Sequence, residues 1–115
     1  MTEADIFPLL SSLAGGQVFP YVVPLNATGE PEVTAPWLVF SLVSQVAADV
    51  LCGPAETSTS VQVDVYASTI DEARDIRSKA MTALAPLGTT QQMRTQGYES
   101  DPRLYRATVE VVITD

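Results

Sequence analysis

The run Trp37-Leu38-Val39-Phe40-Ser41-Leu42-Val43-Ser44-Gln45-Val46 constrains this chain more than any other segment. It is rich in β-branched and aromatic residues and far shorter than the roughly 20 residues a membrane-spanning helix needs, so it reads as a strand. Alternation puts Trp37, Val39 and Val43 on one face and Leu38, Phe40, Leu42 and Val46 on the other. Apolar side chains on both faces require cover on both. A layer of helices can take one face. The second falls either to loops of the same chain or to a neighbouring subunit. The subunit is the favoured cover, because soluble monomers seldom expose large apolar patches.

The other elements follow from the same kind of pattern. Ile6, Leu9, Leu10 and Leu13 recur at helical spacing behind a cap at Thr2 or Asp5, and Gly15-Gly16 ends that helix. Pro8 fits best with Asp5 as the cap, since a helix accepts proline in its first turn. Gln17 to Val23 is expected to be an edge or bulged strand, because Pro20 and Pro24 each remove a ladder donor. Asn26–Pro36 and Asp49–Ser60 read as polar loops. Between Ser60 and Ala67, Val61, Val63 and Val65 alternate with Gln62, Asp64 and Tyr66, the pattern of a half-buried strand. Thr69 and Glu72 open the longest helix as a capping box, with Ala73, Ile76, Ala80, Ala83 and Leu84 facing inward and Pro86 and Gly88 closing it. Thr89–Gly97 is expected to be a weak edge strand or arm. Leu104–Thr114 is the last strand, with Tyr105, Ala107, Val109, Val111 and Ile113 inward. The expected fold is one α+β domain over 1–115. It has a small sheet of four to five mainly antiparallel strands and two helices on one face, in the order α-β-β-β-α-β-β.

Charge and composition narrow the function. Residues 1–73 hold nine acids and no base, and residues 74–115 hold five acids and all six bases, for a net charge of −8. Such a chain is a poor general binder of phosphate backbones, which takes clustered Lys and Arg. Histidine is absent, and with it the usual general base near neutral pH. Cys52 is the sole cysteine, which excludes an internal disulfide and multi-cysteine zinc sites. Neither a P-loop nor a GxGxxG run occurs. The acids Asp71, Glu72 and Asp75 sit in the opening turns of a helix, where they oppose the positive end of its dipole. No catalytic, cofactor-binding or metal-binding residue is expected. The acidic start of the chain does not resemble a secretory signal, so synthesis in the cytoplasm is expected.

Three stretches resemble the tail-completion proteins of long-tailed bacteriophages, which are grouped with the tail terminators. They are Asp5-Ile6-Phe7-Pro8-Leu9-Leu10 through Gly15-Gly16-Gln17-Val18-Phe19-Pro20, Pro36 through Ser44, and Val61 through Thr69 with Glu72-Ala73. Tyr98-Glu99 and Leu104-Tyr105-Arg106 are similar too. Gln17 stands where a basic residue is usual, and Tyr66 where tryptophan is common.

The resemblance implies a structural protein of the virion neck, made in the host bacterial cytoplasm and forming a hexameric ring. That ring would cap the tail tube at its head-proximal end and meet the head connector. Its partners would be its own copies, the tube protein and the connector, with DNA only as passing cargo and no membrane. Phe40, Leu42, Arg94, Arg103 and Arg106 are the candidate interface residues. Two other readings compete: a small α+β ligand-binding or regulatory module, and an enzyme using carboxylates such as Asp64 and Glu99.

Overall fold

The computed structural model describes residues 1–47, 57–100 and 103–114. Helix α1 (Glu3–Leu10) leads through a short 3-10 turn (Ala14–Gly16) to strand β1 (Val18–Pro20). Strands β2 (Trp37–Ala47) and β3 (Thr57–Ala67), helix α2 (Ile70–Leu84), and strands β4 (Thr89–Glu99) and β5 (Leu104–Thr114) follow. The five strands form one mixed sheet in the order β1-β2-β3-β5-β4. All neighbours are antiparallel except β1, which runs parallel to β2. The α+β class, the order of elements and the two helices on one face agree with the sequence reading. Cys52 and residues 48–56 lie outside the described residues, and Thr57–Ser60, expected in a loop, begins β3.

The helix side of the sheet holds the main core. Leu38 and Phe40 of β2, Val61, Val63 and Val65 of β3, and Val109, Val111 and Ile113 of β5 pack against Ile6 and Leu10 of α1 and Ala73, Ile76, Ala80 and Leu84 of α2. Alternate residues of β3 and β5 are therefore buried, as a period of two requires. In α2 the Thr69 hydroxyl accepts a hydrogen bond from the Glu72 amide at 3.2 Å, and Asp75 pairs with Lys79 at 3.1 Å on the exposed side.

Three local readings are corrected. Thr2, not Asp5, caps α1, and the Asp5 carboxylate accepts a bond from the Thr2 amide at 2.8 Å. Pro8 thus lies inside α1, past its first turn. There it removes one internal hydrogen bond of a helix held by Ile6 and Leu10 in the core. β1 is three residues long rather than seven, because Pro20 ends it and Tyr21 turns away with φ of 67°.

The third correction concerns β2. Leu42 pairs with Val61 and Ser44 with Ser60, so Val43 has no partner and forms a bulge. One extra residue reverses the phase of everything after it. Gln45, opposite Thr59, therefore joins the helix side, where its amide donates to the Thr59 hydroxyl at 3.3 Å and the Met1 carbonyl at 2.9 Å. Val46, opposite Ser58, faces the other side rather than sharing the Leu38–Phe40–Leu42 face.

Candidate interaction surface

The sheet's second face divides in two. Over the first half of β2, the chain's own segment from Phe19 to Pro36 folds back. Val23, Trp37 and Val39 form a second apolar cluster there, with Phe19, Val33, Ala35, Tyr66 and Leu104 packed around them. Trp37 stacks on Tyr66 with ring centroids 5.5 Å apart. Gln17 anchors this segment through its side-chain amide, which donates to the carbonyls of Thr34 and Pro36 at 2.7 Å each. Loops, not a neighbouring subunit, cover Trp37 and Val39. The favoured sequence expectation fails for this half of β2.

The second half of β2 has no such cover among the described residues. Val43 is 48% and Val46 63% exposed. On the far side of the sheet Met93, in β4, is 59% exposed. On the helix side of that same border Tyr98 and Tyr105 meet edge to face at 5.0 Å and remain partly open to solvent.

Between these patches runs a polar ladder across β3 and β5. The Asp64 carboxylate accepts from the Gln62 amide at 2.9 Å and from the Thr108 hydroxyl at 2.6 Å. Arg106 pairs with Glu99 at 3.2 Å, with both side chains partly exposed. Burial pushes the Tyr66 hydroxyl above its ordinary value of 10.0, and the neighbouring Asp64 carboxylate acts in the same direction. Asp64 and Glu99, the carboxylates of the enzyme reading, both line a shallow cleft with Tyr21, Trp37 and Tyr66. Each is already engaged, Asp64 by two donors and Glu99 by a guanidinium. Arg103 lines a neighbouring cleft of about 640 Å³ beside Glu30, Trp37 and Leu104.

The five expected interface residues are not brought together. Phe40 is fully buried between β2 and α1, 6.3 Å from the Phe7 ring, and reaches no surface. Leu42 packs against the same core. Arg94 pairs with Val109 and so stands on the helix side of β4, whereas Arg106 pairs with Tyr66 on the opposite face. Arg103 sits in the turn before β5, with φ of 67°. Sequence reasoning missed Val43, Val46 and Met93 as the exposed apolar residues of the strands. The bulges that reorient these strands leave no mark in the hydropathy pattern. A better signal was Pro20, which stops β1 and leaves β2 to run on with no strand on that side among the described residues.

A sheet with helices on one face, a loop-covered apolar cluster on the other and exposed apolar side chains at its borders defines a small α+β protein. A sequence model of the family Tail completion protein gp17 matches residues 8–114, and the chain belongs to this family of structural proteins of bacteriophage tails. No curated protein matches the sequence. The family places the protein in the virion among other tail and head proteins. Among the described residues no helix is long and apolar enough to cross a membrane.

Proposed function

We propose that this protein finishes the phage tail. Copies form a closed ring at the head-proximal end of the tail tube, stop its growth and offer a surface to the head connector. Family membership over residues 8–114 is the observation that carries this reading. The exposed valines of β2 and Met93 of β4 offer apolar surface at opposite borders that contacts between copies would cover. The net charge of −8 suits a channel through which DNA slides without being held by phosphate neutralisation. Of the expected interface residues, Arg94 and Arg103 are exposed and stay candidates for contacts between copies or with the connector.

Electron micrographs of particles assembled without this gene test the proposal. Headless tails of uncontrolled length are the expected result. Tails of normal length that fail to join heads would restrict the role to joining, and normal complete virions would refute it.

A further inference from the structure

Among the described residues both borders of the sheet are open, and they are chemically different. β1 lies beside residues 38–40 of β2, and its last ladder bond runs from the Tyr21 amide to the Phe40 carbonyl at 2.8 Å. Beyond that point β2 continues for seven residues, Ser41–Ala47, with no strand on its outer side among the described residues. The opposite border is β4, whose 11 residues pair with β5 on one side only. Unpaired strand borders are templates for another strand, and proteins usually guard them with lysine, proline or brevity. Ser41–Ala47 carries no charge and no proline. β4 has a bulge at Gln91-Gln92, near one end, and is otherwise regular.

Side chains at the two borders complement each other on both faces. On the face away from the helices, Val46 at one border and Met93 at the other are the large exposed apolar groups. On the helix side the β2 border is acidic. There α1 brings Glu3 and Asp5, held in place by the Gln45 bond to the Met1 carbonyl and a 3.4 Å contact from the Tyr21 hydroxyl to Glu3. The β4 border is basic on that side. Arg94 projects from β4, and Arg77 of α2 spans the ladder, donating to the carbonyls of Thr95 and Thr108 at 2.9 and 3.3 Å and to the Gln96 side chain at 3.1 Å. Burial lowers the Arg77 guanidinium below its ordinary value, and the positive charges of Arg94 and Arg74 lower it further.

Strand direction fits as well. β2 and β3, β3 and β5, and β5 and β4 are each antiparallel, so β4 runs opposite to β2. A second copy rotated about an axis near the strand direction brings its β4 antiparallel to the free part of β2. Unlike borders that meet in this way form a heterologous contact, which closes into a ring when the rotation divides a full turn. We infer that copies of this chain join head to tail through these borders, Ser41–Ala47 of one adding to β4 of the next. The inference rests on the ring reading above, and its occupant is a second copy of the same chain.

Cysteine cross-linking in assembled phage tests it. In a Cys52→Ser background, particles are grown with a mixture of Val46→Cys chains and chains carrying Thr90→Cys, Met93→Cys or Thr95→Cys in turn. The three β4 positions lie on one face, so the exact register does not decide the result. Mild oxidation should link at least one mixed pair into dimers, with no dimers from either variant alone. Dimers from Val46→Cys alone would indicate a symmetric contact and overturn the inference. A ladder of amine-to-carboxyl cross-linked oligomers without any disulfide would also overturn it, while leaving the ring intact. Particles holding this chain as isolated single copies would overturn the ring reading and this inference together.

Discussion

Replacing Phe40 with alanine separates a core role from an interface role. The side chain is fully buried, beside the Phe7 ring and among Leu38, Ile6 and the valines of β3. Truncating a buried phenylalanine costs about 3–5 kcal/mol, as lost transfer energy and as the cavity left behind. A domain of 115 residues is stable by roughly 6–15 kcal/mol, so about a fifth or more of the margin goes. With an unfolding entropy of about 0.24 kcal/mol/K for this length, the melting temperature should fall by about 12–20 °C. Urea titration and thermal melts followed by circular dichroism read both quantities. Val46→Ser is the contrast: an exposed change expected to move stability within about 0.5 kcal/mol while weakening association. The reasoning fails if Phe40→Ala loses less than about 1 kcal/mol and instead alters only the oligomer.

Arg77→Met leaves three acceptors on β4 and β5 without their donor and should cost about 1–3 kcal/mol. Amide exchange should accelerate in β4 before the rest of the sheet, and uniform acceleration would argue against a local clasp. Tyr66 has a raised folded-state pKa, so its contribution is complete below about pH 10, the unfolded value, and is lost as pH rises through the folded value. Tyr66→Phe should flatten that alkaline decline in chemical denaturation, and an unchanged slope would reject the assignment. Glu3→Lys or Arg94→Glu alone should weaken assembly, by up to about fivefold for an exposed pair, and the two combined in one chain should restore it. Failure of the double variant to recover, measured by light scattering, would sever the link between the two borders.

Much of the fold was legible where burial is one-sided. β3 and β5 alternate because one face meets helices, and α2 shows its stripe for the same reason. β4 reads as weak because nearly all of it is exposed, which is itself the mark of a border strand. The phase of β2 was not legible past Leu42, since a bulge adds one residue without changing the hydropathy of its neighbours. Loops were one of two possible covers for Trp37 and Val39, but the hydropathy pattern could not choose them over a neighbouring subunit. The cover depends on Val23 and Val33 returning across the sheet from a segment whose composition is that of an ordinary loop. The arginines looked like one group because three of them fall within 94–106, but the pairing of β4 with β5 sends Arg94 and Arg106 to opposite faces. The charge imbalance was plain from the start. What it did not show is that Glu3 of α1 stands by the β2 border and Arg94 on β4, the opposite border of the sheet.

A reconstruction of the head–tail neck by electron cryomicroscopy bears most directly on whether this protein works by joining to itself. A closed ring of these chains on the last layer of the tube, with sheets continuous from one copy to the next, is the expected density. Scattered single copies, or a location away from that junction, would contradict the account.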